Sequence, residues 1–252
     1  MKKIHEFKRE IKYVPELSTQ NVDRKRYYVT PKKLLYPSIT TVLSQRGKEG
    51  LFEWRKRVQR GKQGLFEWRK RVGEEVANHI TRTSASRGSA VHQMCEDYLM
   101  NKHIYNPTDF EKHSQRHFLG YCLFNRLKEE VLQNIDNIYA QETTLWSDRL
   151  MVAGRVDCIA KYKDVPTIID FKTSRSERND EWNENYYIQA TAYSEMFEER
   201  TGMNIDQIAI LVVTEDGTVQ EFVKNKKDYL HLLDDALKVY SLKDNAQGLT
   251  AN

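Results

Sequence analysis

Two short runs rich in apolar and β-branched residues, Gly154-Arg155-Val156-Asp157-Cys158-Ile159-Ala160 and Ile168-Ile169-Asp170-Phe171-Lys172-Thr173, flank a polar turn at Lys163-Asp164. This pattern reads as a β-hairpin. Side chains alternate along a strand, so Asp170 and Lys172 share one face while Ile169 and Phe171 take the other. With a loop of two residues, or of any even length, Asp157 falls on the face of Asp170, opposite it or one pair removed. Two carboxylates and an ammonium then converge in front of a sheet. Like charges that close repel unless a cation or a proton lies between them. A divalent ion with oxygen ligands, Mg²⁺ or Mn²⁺, is the natural cation, and the neighbouring lysine can stabilise charge on a phosphate. The alternative at this point is an exposed hairpin with solvated charges.

At 252 residues the chain is long enough to bury a substantial core, as one large domain or one domain with a helical attachment. The apolar runs are too short for a membrane-spanning helix, and Met1-Lys2-Lys3-Ile4-His5-Glu6-Phe7-Lys8 lacks the apolar centre of a signal peptide. A cytoplasmic protein is expected, with no membrane partner. Cys95, Cys122 and Cys158 are dispersed and odd in number, which argues against disulfides, a zinc site and an iron-sulfur cluster. The net charge of +4 is mild, but residues 46–72 concentrate Arg and Lys. Such a patch suits a phosphate backbone.

Residues 1–36 show no firm periodicity and read as an irregular segment, a strand or arm laid on the body. Pro37-Ser38-Ile39-Thr40-Thr41-Val42-Leu43 reads as a helix start. The segment Gly47-Lys48-Glu49-Gly50-Leu51-Phe52-Glu53-Trp54-Arg55-Lys56-Arg57-Val58 then recurs as Gly61–Val72, with Gln63 in place of Glu49. The 14-residue period is about four helical turns, so Leu51, Trp54, Leu65 and Trp68 can share a stripe. Two readings stay open: Trp beside Arg-Lys-Arg stacks bases and grips phosphates, or Leu, Phe and Trp pack a helix. Arg55, Trp68, Arg69 and Arg87 are the candidate nucleic-acid contacts.

Downstream, helical pattern runs from Gly73 to Thr81, and Thr83-Ser84-Ala85-Ser86 is expected to break and recap it. A helix from Arg87 to Met100 aligns His92, Glu96 and Leu99. A long amphipathic helix is expected from about Asp109 to Gln133, burying Phe118, Tyr121, Cys122, Leu127 and Val131. Ile138–Trp146 alternates as a strand with Ile138, Ala140, Glu142 and Thr144 on one face. Thr173–Asn185 reads as a polar loop able to move over a substrate. Tyr186–Arg200 reads as a helix stopped by Gly202, with Gln189 and Tyr193 one turn apart. Ile205–Thr214 reads as a central buried strand, Thr218–Val223 as an edge strand, and Lys227–Leu242 as a closing helix.

The ordered set, a helix with Gly88 and His92, a strand with Glu142, Gly154-x-x-Asp157, Asp170-x-Lys172 and Gln189-x-x-x-Tyr193, resembles the RecB-like branch of the PD-(D/E)xK nuclease superfamily, which includes phage and mitochondrial genome maintenance exonucleases. The resemblance covers roughly residues 84–215. It implies an α/β, restriction-endonuclease-like core with a central mixed sheet flanked by helices, over residues 84–252. Residues 1–83 would then be an N-terminal arm and helical region, with the tandem repeat at 47–74 guiding DNA. By the same resemblance, His92, Asp157, Asp170 and the carbonyl of Phe171 hold Mg²⁺, with Mn²⁺ able to substitute. Lys172 positions or deprotonates the attacking water, Glu142 supports the site, and Gln189 and Tyr193 orient the lysine or the strand. The implied activity is metal-dependent exonuclease action on single-stranded DNA or DNA ends, in replication, recombination or repair. A structure-specific endonuclease shares every catalytic residue, and a non-catalytic single-stranded-DNA binder would be marked by a broken acid-acid-lysine set, which is complete here.

Overall fold

The computed structural model describes residues 5–23, 25–46, 66–67, 69–115 and 117–248. The body is a five-stranded mixed sheet in the order β4-β5-β6-β7-β8, made of β4 (Ile135–Ser147), β5 (Val152–Tyr162), β6 (Val165–Ser174), β7 (Gln207–Thr214) and β8 (Val219–Asn225). All neighbours are antiparallel except β6 and β7, which run parallel and are joined by the crossover helix α6 (Glu184–Thr201). Parallel neighbours cannot be joined by a tight turn, so this helix is a topological requirement.

The sheet is covered on both faces. Ile168, Ile208, Ile210 and Val212 pack with Ile188, Met196 and Phe197 of α6, and with Leu233 and Ala236 of α7 (Leu230–Gly248). Ile169, Phe171, Leu211 and Val213 point the other way, against Val91, Cys95 and Leu99 of α2 (Glu74–Leu99) and Leu123, Phe124 and Leu127 of α5 (Phe118–Glu130). Central strand β7 is buried from Ile208 to Thr214, whereas edge strand β8 has half-buried residues alternating with the exposed Glu221, Val223 and Asn225. Gly202 ends α6 with φ of 74°, its N–H bonding Glu198 O. Among the described residues no helix is long and apolar enough to cross a membrane.

Several local expectations are corrected. Residues 5–17 run as an arm laid on the body, as expected, but the stretch after them is regular: β1 (Ser18–Val22), β2 (Lys25–Val29) and β3 (Leu35–Pro37) form an antiparallel sheet leading into α1 (Ile39–Arg46). Ser38 caps α1, its Oγ accepting from Thr41 N at 3.0 Å. The Ser/Thr cluster does not break α2, which runs unbroken through residues 83 and 84. The hydroxyls of Thr81 and Thr83 donate to the carbonyls four residues back, at 2.8 and 2.9 Å, so they are satisfied inside the helix.

The long helix expected over 109–133 is instead α4 (Pro107–Gln115) and α5, preceded by the single turn α3 (Lys102–Tyr105). His117 caps α5 through Nδ1, which accepts from Gly120 N. That restart changes the helical phase and leaves Phe118 78% exposed, with Leu123 and Phe124 buried in its stead. The alternation expected for β4 also fails. Its register against β5 shifts by two residues between Asp136 and Ala140, so Ile138 and Ala140 reach opposite cores.

The N-terminal arm ties α2 to β4. Buried Asn101, in the left-handed region with φ of 61°, accepts from Phe7 N at 2.9 Å and donates to Phe7 O at 3.0 Å. Glu10 and Lys12 donate to Ile138 O and Tyr139 O, and Arg9 bonds Leu99 O and the Gln141 side chain. Replacing Asn101→Gly keeps the backbone geometry but strands two buried peptide groups, so the fold should lose about 2 kcal/mol. Urea melts of the two proteins, with limited proteolysis to monitor the arm, check this; an unchanged midpoint and an equally resistant arm would refute it.

Candidate active site

The two-residue turn at Lys163-Asp164 sets the site. Both residues are left-handed, with φ of 50° and 67°, the geometry of a tight hairpin whose twist matches its strands. Pairing then runs from Tyr162↔Val165 to Cys158↔Ile169. Carried one residue further, that register puts Asp157 opposite Asp170. There the strands part, and Asp157 Oδ2 takes the Phe171 N–H at 3.0 Å. On the other side, the pairs Gln141↔Cys158 and Thr143↔Val156 bracket Glu142 opposite Asp157. Three carboxylates from three adjacent strands therefore lie in a row.

Helix α2 adds a second wall. His92 Nδ1 lies 3.4 Å from Asp157 Oδ2, and its ring meets Phe171 edge-on at 6.4 Å. Ser84, Gly88, His92, Glu96, Glu142, Asp157 and Lys172 line a cleft of about 580 Å³. Glu142 has φ of 47°, a conformation rare for a residue with a side chain, and such outliers gather at functional sites. Burial, then the charges of Asp157 and Glu96, push its carboxyl up to about 7.

Asp170 is 2% exposed, and burial raises its pKa, with Lys172 opposing and Asp157 adding to the shift. The Lys172 ammonium sits against Asp170 Oδ2. Burial alone would lower Lys172, but Asp170 and Asp157 outweigh it and hold the ammonium charged. Among the described residues neither Asp170 oxygen has a well-aligned hydrogen bond.

Helix α6 closes the site from the opposite layer. Gln189 Nε2 donates to Tyr193 Oη at 3.0 Å, as the one-turn spacing suggests. Tyr193 is 2% exposed, and burial, with Asp170 nearby, raises its phenol well above the ordinary range. Its ring lies on Gly154: a Cβ there would stand 2.6 Å from Tyr193 Cε1. Tyr186, half-buried, carries Lys172 Nζ 5.0 Å from its ring centre.

The structure thus brings together His92, Glu142, Asp157, Asp170, Phe171 and Lys172, with Gln189 and Tyr193 behind them. Two cleft neighbours were not assigned from sequence, Glu96 and Tyr186. Glu96 was readable as one turn beyond His92, and Tyr186 as three residues before Gln189. Of the candidate nucleic-acid contacts, Arg55 and Trp68 lie outside the described residues. Arg69 is engaged by Glu74 and Asn78. Arg87 is 5% exposed and paired with Glu215 at 2.7 Å, which turns its guanidinium inward.

Among the described residues, no three His, Cys, Asp or Glu side chains are grouped closely enough to hold a metal as they stand. The donor chemistry nevertheless fits a hard divalent cation. Asp170 is buried with its Oδ1 unpartnered among the described residues, Glu142 is raised by burial and then by the charges of Asp157 and Glu96, and imidazole and carboxylates meet at one cleft.

Gly154→Ala should cost about 1–3 kcal/mol through overpacking against Tyr193 and pull Tyr193 away from Gln189. Denaturant melts and near-ultraviolet circular dichroism check this. An alanine protein of parental stability and spectrum would show that the close approach does not constrain the site.

The profile of the PD-(D/E)XK nuclease superfamily matches residues 56–250. Mitochondrial genome maintenance exonuclease 1 of Mus musculus is 25% identical over 146 residues, which are 56% of this chain and 38% of that relative, so the chain spans well under half of the relative's length. A solved protein from Eubacterium rectale, named as a candidate exonuclease, is 13% identical with a TM-score of 0.41, covering 63% of this chain and 68% of the other. With the superfamily's profile matched across most of its length, the chain belongs to the PD-(D/E)XK nuclease superfamily.

Proposed function

We propose that this chain is a metal-dependent deoxyribonuclease that hydrolyses phosphodiester bonds from the ends of DNA, preferentially single-stranded. The observation that carries the reading is that His92, Glu142, Asp157 and Lys172 line one cleft, with Asp170 buried behind it against Lys172. His92, Asp157, Asp170 and the Phe171 carbonyl would hold Mg²⁺ or Mn²⁺, with Glu142 in support. When bound, that ion supplies charge relief on the phosphate and a more acidic water.

The remaining work falls to the chain's own side chains. Lys172, held charged against Asp170, is placed to stabilise charge developing on a phosphate oxygen. To accept a proton from water instead, it must first give up a proton of its own, which the pairing with Asp170 opposes. Tyr193, locked between Gly154 and Gln189, fixes the α6 wall behind the reacting centre. Peptide N–H of Phe171 holds Asp157 in one orientation.

A role for the basic segment in guiding DNA is supported by where its described ends lie. Arg46, at the end of α1, pairs with Glu184 at 2.7 Å and bonds Asn185 at 3.2 Å, at the start of α6. Beyond the segment the chain enters α2, whose residues from Ser84 onward line the cleft.

Cleavage of end-labelled oligonucleotides should require Mg²⁺ and stop in chelator. Mg²⁺ should also raise the melting temperature of the parent, and not of Asp170→Asn. Lys172→Ala and Asp157→Ala should each lower cleavage by at least about 100-fold while binding persists. Full cleavage in chelator, or by both alanine variants, would place the chemistry elsewhere. Circular or end-blocked DNA should resist; its cutting would favour a structure-specific endonuclease. Comparing 5′- and 3′-labelled strands then reads the polarity.

A further inference from the structure

Trp182, Tyr186, Gln189 and Tyr193 recur at intervals of four, three and four residues. On a helix that spacing defines one stripe. Burial grades along it: Tyr193 is 2% exposed, Gln189 and Tyr186 are half-buried, and Trp182, in the single 3-10 turn Asp180–Asn183 that leads into α6, is 56% exposed. Its inner end is the hydrogen-bonded Gln189–Tyr193 pair, and its middle member, Tyr186, adjoins Lys172. The stripe therefore runs along α6 from Tyr193 to Tyr186 beside the lysine, and the exposed Trp182 stands in the turn that leads into the helix.

A single exposed apolar residue needs no explanation by itself. This one is presented by a turn fixed from every side. The Asn179 side chain accepts the Trp182 N–H at 3.1 Å, and Arg178 Nη2 donates to Trp182 O at 2.7 Å. Arg178 Nε donates to buried Asn183 at 2.6 Å, and the Arg178 backbone exchanges two hydrogen bonds with the Gln220 side chain of β8. Asp180 accepts from Tyr187 Oη at 2.7 Å and Lys224 Nζ at 2.8 Å. The segment expected to be a movable polar loop is thus a braced platform. Bracing lowers the ordering cost of any contact the indole makes.

The turn and the residues leading into it carry both signs of charge, with Glu177 and Glu181 among them, and the fixed cation on the side of Tyr186 is Arg178. Arg178 lies 5.2 Å from the Tyr186 ring, on the ring that also carries Lys172. The carboxylates of Asp180 and Glu184 are already met by Lys224 and Arg46. A flat aromatic surface beside fixed cations is the pattern that takes an unpaired nucleobase with its phosphate in line.

We propose that Trp182 is a base-stacking subsite for an unpaired nucleotide next to the scissile phosphate, held in register with Lys172 through Tyr186 and Arg178. This rests on the nuclease reading above. Trp182 binds and orients the strand; it takes no part in the bond-breaking step.

The test is fluorescence anisotropy of a labelled oligothymidylate with the full chain in Ca²⁺, alongside steady-state cleavage in Mg²⁺. Trp182→Ala should weaken binding about 5- to 100-fold, with the loss appearing in KM more than in kcat. Trp182→Phe should recover most of it, and thermal melts of both should match the parent. An oligonucleotide carrying abasic sites should bind the parent and Trp182→Ala equally, which a merely structural role for the indole would not produce. Unchanged binding and KM in Trp182→Ala, while the parent binds and cleaves, overturns the subsite and leaves the nuclease reading standing. A parent that neither binds nor cleaves DNA overturns both.

Discussion

Three carboxylates on adjacent strands, within reach of one another and partly out of water, are the constraint around which the rest of this structure is arranged. Glu142 opposes Asp157 across one ladder, and the register of the next places Asp170 opposite Asp157. In a low-dielectric setting such a row is unstable unless its charge is compensated. The chain provides partial compensation: the Lys172 ammonium at Asp170, and the Phe171 N–H and the His92 ring at Asp157, while at Glu142 burial and the neighbouring charges push the carboxyl up to about 7. The surrounding layers hold these groups in place at some cost, including a left-handed backbone at Glu142. The two-sided apolar packing of β7 supplies the stability against which that local cost is set.

The core of the site was legible because its rules are local. A two-residue turn and a period of two suffice to put Asp157 and Asp170 together and to align Lys172 with Asp170, and a one-turn spacing suffices for Gln189 and Tyr193. The buried strand β7 and the Gly202 stop were legible for the same reason. What escaped depends on partners far along the chain. The two-residue shift in β4 is set by its pairing with β5, and no residue between Asp136 and Ala140 announces it. His117 reads as an ordinary surface histidine until its Nδ1 is seen to cap α5. The Thr83–Ser86 stretch has the composition of a helix break, yet Thr83, like Thr81 before it, bonds a carbonyl of its own helix. Arg87 looks like a phosphate contact until Glu215, over a hundred positions later, is found beside it. The Gly154 requirement follows from the Tyr193 ring, which lies on a different layer.

The two faces of the sheet divide the labour. Layer α2 and α5 carries His92 and Glu96 to the open side of the cleft, while α6 on the opposite face presents Tyr193, Gln189 and Tyr186. Both reach the same point because β5 and β6 separate just beyond Cys158 and Ile169, leaving a gap through which groups from either layer meet. A parallel junction between β6 and β7 makes this possible, since it obliges α6 to cross the sheet and start beside the end of β6.

The N-terminal arm has a bearing on how the molecule is assembled. Phe7 is held by Asn101, and Lys8, Glu10 and Lys12 by backbone at Ile138 and Tyr139, so each contact spans about ninety to one hundred and thirty residues. During synthesis residues 7–12 emerge well before either partner exists, and closing so long a loop is slow compared with forming the helices between. The strap joining the helix that bears His92 to the strand that bears Glu142 therefore cannot dock until the chain has been made past the start of β4.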